Sequence, residues 1–396
     1  MIVYTFSPIC LPVNWQTELV TDAEEKCRTL QDLLAKFPGV DIQPCRWPMG
    51  YGSLAHDSLP VFYQAAAEIS LPSMMQEDDV LGASLFCYDN CLAVLVVELQ
   101  TSVDLDNIDD LAISQRIETL ATGYLQPLLC FLYEQESRGR LIAPASYKVY
   151  ADTKTTLCEG RPLWVARMLV QSPSLTADHY QAWLQNVDDA SDLFLLGSGN
   201  SLLCDYAHLA DIQRVMVLSQ FHAALMLRTE SLLDKTLTQF NGAYFEQTHS
   251  QLHDSVDLHQ YRNDHIEFIS IQYSAAQAGM QGKRRQLLAQ FDNAWQVPEQ
   301  EQRLQQLAQL VQKRLDRLVD ASRRAQTRSI QTILTFLGGL SLLALVVDLA
   351  SLSNDMEHNE TVGILDLFTL LSAENVLSVT VLIVVLLTAY FYRNHE

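Results

Sequence analysis

The sequence predicts a mixed α/β (α+β) domain followed by long helices and a C-terminal pair of membrane-spanning helices. Three observations support this fold class. Short apolar runs separated by turn residues fill the first half, helical spacing dominates after Asp205, and two long apolar runs, 332–352 and 376–392, lie near the C-terminus. We therefore expect an α/β domain over 1–206, a helical stalk over 207–331 and a transmembrane hairpin with its loop and tail over 332–396.

Strands and helices follow one another irregularly in the α/β domain. Asp89-Asn90 and Gly197-Ser198-Gly199-Asn200 are turn sequences, so each is expected to join two strands in a hairpin. Residues 39–58 are rich in Pro and Gly and are expected to be irregular. The predicted strands are 1–10, 84–89, 91–100, 146–151, 163–171, 193–196 and 201–205. The predicted helices are 15–37, 107–136 and 175–186.

The stalk is expected to be helical throughout. Long helices are predicted over 207–247, 256–293 and 299–352, with a break at 295–298. Pro298 suits the start of the last helix, because the first turn has no partner for an N–H at that place. The last helix carries a coiled-coil-like seam that leads into the first apolar run: Leu304, Leu307, Val311, Leu315 and Leu318.

Each apolar run is close to the length that an α-helix needs to cross about 30 Å of hydrocarbon. A buried core helix is the alternative for either run. Arg393 follows the second run, and the connecting loop has no Lys or Arg, so the positive-inside rule predicts that both termini are cytoplasmic. We expect the protein to lie in the cell inner membrane. The basic residues before the first run are Arg303, Lys313, Arg314, Arg317, Arg323, Arg324 and Arg328.

The composition bears on partners and compartment. The formal net charge is −21, and residues 1–250 hold 14 Lys and Arg against 31 Asp and Glu, a balance of −17. This balance argues against nucleic acid as a partner and permits divalent cations, basic ligands or simply a solvated acidic surface. The eight cysteines include no C-x-x-C pair, which indicates reduced core residues of a cytosolic domain.

Small and polar residues form one stripe along the first apolar run. Polar side chains in lipid face protein or water, and several copies packed around an axis would place this stripe along a pore. The alternative is a dry packing seam in which Gly338 and Gly339 let helices approach. The predicted pore-lining residues are Thr327, Gln331, Thr335, Gly338, Ser341, Ala344, Asp348 and Ser351.

Asp348 is the one charged member of this stripe. Neither apolar run nor the loop between them has a basic residue that could pair with it. A ring of such carboxylates at a water-filled mouth would concentrate cations, whereas the alternative places Asp348 at the level of the lipid headgroups. The predicted outer acidic mouth consists of Asp355, Glu357, Glu360, Asp366 and Glu374.

Three weaker patterns are interpreted as structural. The glycine-rich turn at 197–200 lacks the Lys and the following helix of a phosphate loop. Four acidic residues suit the dipole of the helix predicted over 107–136 better than a divalent ion: Asp104, Asp106, Asp109 and Asp110. Four histidines, the first two spaced i,i+4, suit a solvated helix surface better than a metal site: His249, His253, His259 and His265.

The order of these parts resembles the CorA family of divalent-cation channels. The resemblance rests on layout and covers roughly residues 190–396: an α/β domain, an antiparallel helical pair, a very long helix that becomes the first span, a second span, and the tail YFYRNHE. CorA proteins carry Gly-Met-Asn at the outer end of the first span. This chain reads Leu349-Ala350-Ser351-Leu352-Ser353-Asn354 there, so Mg²⁺ selectivity does not carry over.

The resemblance implies a homo-oligomeric cation channel, a pentamer by analogy with the family, that is gated by its large cytoplasmic domain. Divergent CorA-like proteins also accompany type III CRISPR systems, which implies an antiviral membrane effector opened by a nucleotide second messenger such as SAM-AMP bound to that domain. A membrane-anchored sensor without a pore is the competing hypothesis. The sequence shows no catalytic constellation, so we expect no enzyme activity and no cofactor other than a divalent cation.

Overall fold

The computed structural model describes residues 1–14, 23–47, 59–101, 109–135, 150, 153–170, 180–184, 189–190, 194–197, 199–243, 249–355 and 373–393. The chain forms two compact units. The first consists of Met1–Ala243 and Asp254–Gln312, and the second of Tyr244–His253 and Lys313–Glu396.

One mixed sheet contains all the described strands of the first unit. They are β1 (Ile2–Cys10), β2 (Asp41–Gln43), β3 (Ala67–Ser70), β4 (Val80–Cys87), β5 (Leu92–Gln100), β6 (Ala166–Val170), β7 (Asp189–Ala190), β8 (Phe194–Leu196) and β9 (Asn200–Leu203). Their order is β2-β3-β4-β5-β1-β6-β9-β8-β7, and β6 with β9 is the parallel pair. The predicted α/β class is confirmed at this level.

The two units together contain nine described α-helices. They are α1 (Ala23–Leu34), α2 (Asp110–Glu134), α3 (Lys154–Cys158), α4 (Gln181–Leu184), α5 (Leu209–Ala243), α6 (His249–Gly279), α7 (Gly282–Ala294), α8 (Val297–Asp355) and α9 (Ala373–Arg393). The single helix predicted over 256–293 is wrong, because Gln281 is extended and Gly282 has a φ of 62°, and these conformations separate α6 from α7.

The strand β1 lies inside the sheet because its side chains are apolar on both faces. It pairs along its whole length with β5, from Ile2 opposite Gln100 to Cys10 opposite Leu92, and β6 pairs with its other edge. Val3 and Phe6, which point to opposite faces, are both fully buried. Burial on two faces explains the nearly continuous apolar runs of β1 and β5.

Both predicted hairpins are present. Asn90 and Cys91 have φ values of 60° and 57°, the left-handed conformation that a tight turn between β4 and β5 requires. Gly199 has a φ of 87° between the antiparallel strands β8 and β9. Glycine adopts this conformation without the steric cost that a Cβ would add.

Helices cover both faces of the sheet. On one face, Phe6 shares a core with Phe221 of α5 and Phe291 of α7. On the other face, Leu95 of β5 shares a core with Leu125 of α2 and with residues of α1. The first unit therefore has three layers, helix, sheet and helix, which bury the apolar residues of every long strand.

The sequence analysis misses the short strands β2 and β3. β2 has three residues inside the segment predicted to be irregular, and β3 has four, too few for a visible alternation. The strand predicted over 146–151, apart from Tyr150, and parts of the helices predicted over 15–37 and 175–186 lie outside the described residues.

Gly197 offers a test of this packing. A Cβ at Gly197 would overlap the carbonyl oxygen of Leu184, whereas a Cβ at Gly123 of α2 would meet no atom within 4 Å. We expect Gly197→Ala to lower the free energy of unfolding by roughly 2–3 kcal/mol. Gly123→Ala, the matched control inside a helix, should raise it by about 0.5–1 kcal/mol. Urea unfolding of the full chain in detergent measures the free energy of unfolding of both variants. An equal change in the two variants would contradict the packing of Gly197 against Leu184.

Candidate functional site

The helix α8 exposes a long apolar surface. Its segment Val297–Leu349 contains a window with a mean hydropathy of 2.1, and none of that window is buried. By length and composition, α8 is the one described helix able to span a membrane. Its exposed large apolar residues beyond Arg328 are Ile330, Ile333, Leu334, Phe336, Leu337, Leu340, Leu342, Leu345, Val347 and Leu352.

The second unit brings α8 and α9 together at Gly339. A Cβ added at Gly339 would stand 2.5 Å from Cγ1 of Val384 in α9, whereas one added at Gly338 would meet no atom within 4 Å. Within α9, Leu377–Leu386 forms a shorter apolar segment. The half-buried residues of α8 recur on the face that carries Gly339: Thr332, Thr335, Gly339, Leu343, Val346 and Leu349.

The predicted polar stripe lies on a different face of α8. Because successive helical residues are turned by about 100°, most of the stripe is directed away from Gly339. Seven of its eight residues are exposed, and Thr335 is half-buried at the edge of the face that carries Gly339. The close helix approach predicted for Gly338 and Gly339 together therefore involves only Gly339 within this chain.

The hydroxyl groups of the stripe bond to their own helix. Thr335 and Ser341 donate to the carbonyl oxygens four residues earlier, at 2.8 and 3.0 Å, and Ser351 donates to one three residues earlier, at 3.3 Å. Among the described residues, no side-chain hydrogen bond is found for Gln331 or Asp348. These two side chains are the ones that need water or another polar group.

The acidic mouth is described only in part. Asp348 is exposed, Asp355 is the last residue of α8, and Glu374 is exposed in the first turn of α9. The other three residues predicted for the mouth lie outside the described residues: Glu357, Glu360 and Asp366.

The seam predicted on α8 is covered within the single chain. Leu304 is 4% exposed, Val311 is fully buried, and Leu315 is 2% exposed, while Leu307 and Leu318 are half-buried. A seam that this chain already buries does not require a neighbouring copy. Any argument for an oligomer therefore rests on the surface of α8 beyond the seam.

The surface interpretation of the histidines is wrong for two of them. His259 is 1% exposed and His265 is 5% exposed, and the rings of Phe62 and Tyr150 lie against His265 with centroids 6.5 and 6.0 Å away. Burial lowers the pKa of His265 to about 4. The side chains of His249 and His253 are outside the described part, and the described residues contain no cluster of three metal ligands.

The acidic residues before α2 serve its N-terminus, as predicted. The Asp109 side chain accepts a hydrogen bond from the N–H of Leu111 at 2.9 Å. Asp110, in the first turn, accepts one from the amide of Asn200 at 2.7 Å and lies 3.9 Å from the guanidinium of Arg167. Asp104 and Asp106 lie outside the described residues.

A buried polar network joins three helices around His222 of α5. The His222 ring stacks on Tyr273 of α6, with centroids 3.6 Å apart and planes at 4°. Its Nδ1 lies 2.8 Å from the hydroxyl of Tyr63. The Tyr273 hydroxyl donates to Asp292 of α7, which also accepts from Gln277 at 2.8 Å. The network thus links α5 to α6 by ring stacking, and α6 to α7 by hydrogen bonds, inside an apolar core.

The same network meets the first turns of α8. The Nε2 atom of His222, which makes no hydrogen bond among the described residues, lies 3.9 Å from Oε1 of Glu301. Burial lowers the pKa of His222 to about 3, and burial raises the pKa of Asp292 and of Glu301. Sequence reasoning missed this site because its members come from distant positions with no shared spacing.

No family model, curated protein or solved structure matches this chain.

Gly339 and Gly338 allow a direct test of the contact between α8 and α9. Gly339→Ile should lower the midpoint of thermal unfolding in detergent, because its side chain would collide with Val384. Gly338→Ile adds the same side chain to the same helix without a collision and should leave the midpoint nearly unchanged. Circular dichroism follows both variants. An equal loss in both would show that α8 and α9 do not meet at Gly339.

The His222 network predicts a pH dependence. The pKa of His222 is about 3 in the folded chain and about 6.5 when unfolded, so below pH 6.5 the unfolded state binds the proton more tightly. Stability should therefore fall as the pH drops from 6.5 towards 3, by about 2 kcal/mol at pH 5 for this residue. His222→Gln should remove that part of the slope. Urea unfolding at pH 7.5 and 5 measures it, and parallel profiles for the two proteins would contradict a buried neutral His222.

Proposed function

We propose that this chain forms a homo-oligomeric cation channel of the CorA-like class in the inner membrane. In this proposal α8 and α9 cross the bilayer as a hairpin, and the first unit regulates the pore from the cytoplasm. The observation that carries the proposal is the exposed stripe on α8, which is directed away from Gly339, where α9 packs.

Polar side chains are energetically costly in the hydrocarbon of a bilayer. Gln331 and Asp348 stand on an otherwise apolar helix, and a carboxylate in the hydrocarbon costs a few kcal/mol unless it is hydrated or paired. The two apolar runs and the loop between them contain no Lys or Arg. Packing several stripes around a water-filled axis would hydrate both side chains and would cover the apolar flanks with neighbouring helices.

Charge supports the proposed orientation and ion preference. Seven basic residues precede the first apolar run, Arg393 follows the second, and the loop between them is acidic, which favours cytoplasmic termini. An external mouth that carries Asp348 and the loop carboxylates would attract cations and repel anions.

Regulation would act at the start of α8. This helix is continuous from Val297 to Asp355, and Glu301 in its first turns faces the His222 network of the first unit. A ligand shifts such an equilibrium only if it binds one state more tightly. A nucleotide second messenger such as SAM-AMP, acting in antiviral defence, is one proposed ligand on the strength of the family resemblance alone.

A membrane-anchored sensor without a pore is the second candidate. One observation favours it: Thr335, Ser341 and Ser351 satisfy their hydroxyl groups on their own helix, so these residues do not require a water-filled path. A sensor of this kind would need α8 and α9 only as an anchor.

The two candidates differ in what Asp348→Asn does. A cation pore predicts a smaller cation-to-anion permeability ratio, because one carboxylate per copy leaves the mouth. Reversal potentials under a salt gradient in planar bilayers measure this ratio. Glu299→Gln, which removes one exposed carboxylate from the first turn of the same helix, is the matched control and should leave the ratio unchanged.

The mass of the particle in nanodiscs is the accompanying assembly measurement, with a pentamer expected from the resemblance. A monomer, or an Asp348→Asn variant with an unchanged permeability ratio, would contradict the cation pore and favour the anchored sensor.

A further inference from the structure

A second site lies in the first unit, on the face of the sheet that α5 covers. We name it the β4–β5 pocket. It is a solvent-open cavity of about 70 Å³ between the two strands, α5 and the segment that carries Arg46 and Trp47. Its lining includes Tyr4, Trp47, Gly82, Val96, Glu98 and Gln213.

The pocket exists because one strand position has no side chain. Tyr4, Glu98 and Gly82 stand side by side across β1, β5 and β4. A Cβ at Gly82 would lie 3.5 Å from Oε2 of Glu98, so a larger side chain there would take up the space in front of that carboxylate. The floor beside it is formed by Val96.

Among the described residues, the carboxylate of Glu98 is a negative charge in the pocket without a counter-ion. Arg46 bonds through Nε to Oε2 of Glu68 at 2.9 Å, and the Glu68 side chain is fully buried, so this guanidinium is already neutralised. Burial and the nearby Glu98 raise the pKa of Tyr4 far above its usual range, and the protonated phenol donates to Glu98. Within the described chain, no Lys or Arg forms an ion pair with Glu98.

The remaining walls are aromatic, apolar or neutral. Trp47 is half-buried and stacks on Phe86 with centroids 4.7 Å apart and planes at 10°. Val96 and Val217 add aliphatic surface, and Gln213 of α5 supplies an uncharged amide. A single carboxylate beside aromatic faces is the combination that attracts organic cations.

We propose that the β4–β5 pocket binds a small organic cation, whose ammonium group lies at Glu98 and whose apolar body lies against Trp47 and Val96. An ammonium donates hydrogen bonds that Glu98 still accepts, and its body covers surface that is otherwise wet. The β4–β5 pocket does not include residues of the proposed membrane helices, and its test measures binding alone. A failure of the binding proposal would therefore leave the pore proposal unaffected, and a failure of the pore proposal would leave the binding proposal unaffected.

The test compares three probes of the same shape on the full chain in detergent. They are 2-phenylethylamine, a cation at pH 7, its neutral analogue 2-phenylethanol, and the anion 3-phenylpropionate. Calorimetric titration with a micelle blank should show saturable binding of the cation with one site per chain, and binding of the other two at least about tenfold weaker. Equal binding of the three probes, tighter binding of the anion, or no saturation by the cation up to about 10 mM would overturn the proposal.

Two variants assign the binding to the pocket. Glu98→Gln should weaken binding of the cation about tenfold or more, whereas Glu267→Gln, which removes an exposed carboxylate from α6, should not change it. Gly82→Val should also weaken it by filling the space at Glu98, and this variant decides the question if Glu98→Gln does not fold. Circular dichroism checks the fold of each. Undiminished affinity in a folded Glu98→Gln or Gly82→Val variant would overturn the assignment.

Discussion

The rest of the structure depends on one constraint, the apolar surface of α8 that the chain leaves uncovered. Leu334 and Leu345 are 61% and 58% exposed, and many residues of the same helix are similar. Each large aliphatic side chain contributes about 1.5–3 kcal/mol when it leaves water, so this surface in water would oppose the folded state. The first unit, by contrast, buries its apolar residues on both faces of its sheet. In the proposed function, a lipid bilayer, with or without neighbouring copies, would supply the missing cover for α8.

The stripe on α8 separates two kinds of polar residue that sequence patterns treat alike. Thr335 and Ser341 bond to their own backbone, so they are tolerated in lipid at little cost. Within the described part of the chain, the side chains of Gln331 and Asp348 make no such hydrogen bond. The case for a water-filled axis is therefore carried by two positions about five turns apart rather than by the eight residues of the stripe. The substitution Thr335→Ala would therefore say little about a pore, whereas the substitution Asp348→Asn is informative.

The sequence predicts elements whose causes are local and misses those whose causes are not. The runs of β1 and β5, the turn at Asp89-Asn90 and the helix start at the acidic residues Asp109 and Asp110 each depend on neighbouring residues, and all are present. The burial of His265 depends on rings contributed by distant segments, and a histidine on a polar helix gives no sign of it. The β4–β5 pocket likewise depends on strand register, which sets Gly82 beside Glu98. This register depends on the turn between the two strands and on the irregularity between Val80 and Gly82, so it cannot be obtained from either strand alone.

The way in which α8 begins bears on regulation. Two contacts join its first turns to α5: Arg303 pairs with Glu230, and Glu301 faces the unbonded Nε2 of His222. The first pair is largely exposed, and exposed pairs contribute about 1 kcal/mol or less. The second is a 3.9 Å gap between a neutral imidazole and a carboxyl group whose pKa is raised by burial. Neither polar contact holds the helix strongly, so the start of α8 is held mainly by its buried apolar residues, such as Leu304 and Val311. In the proposed regulation, a ligand of the first unit would therefore have to bind one state tightly enough to offset this apolar packing before the start of α8 could change its position.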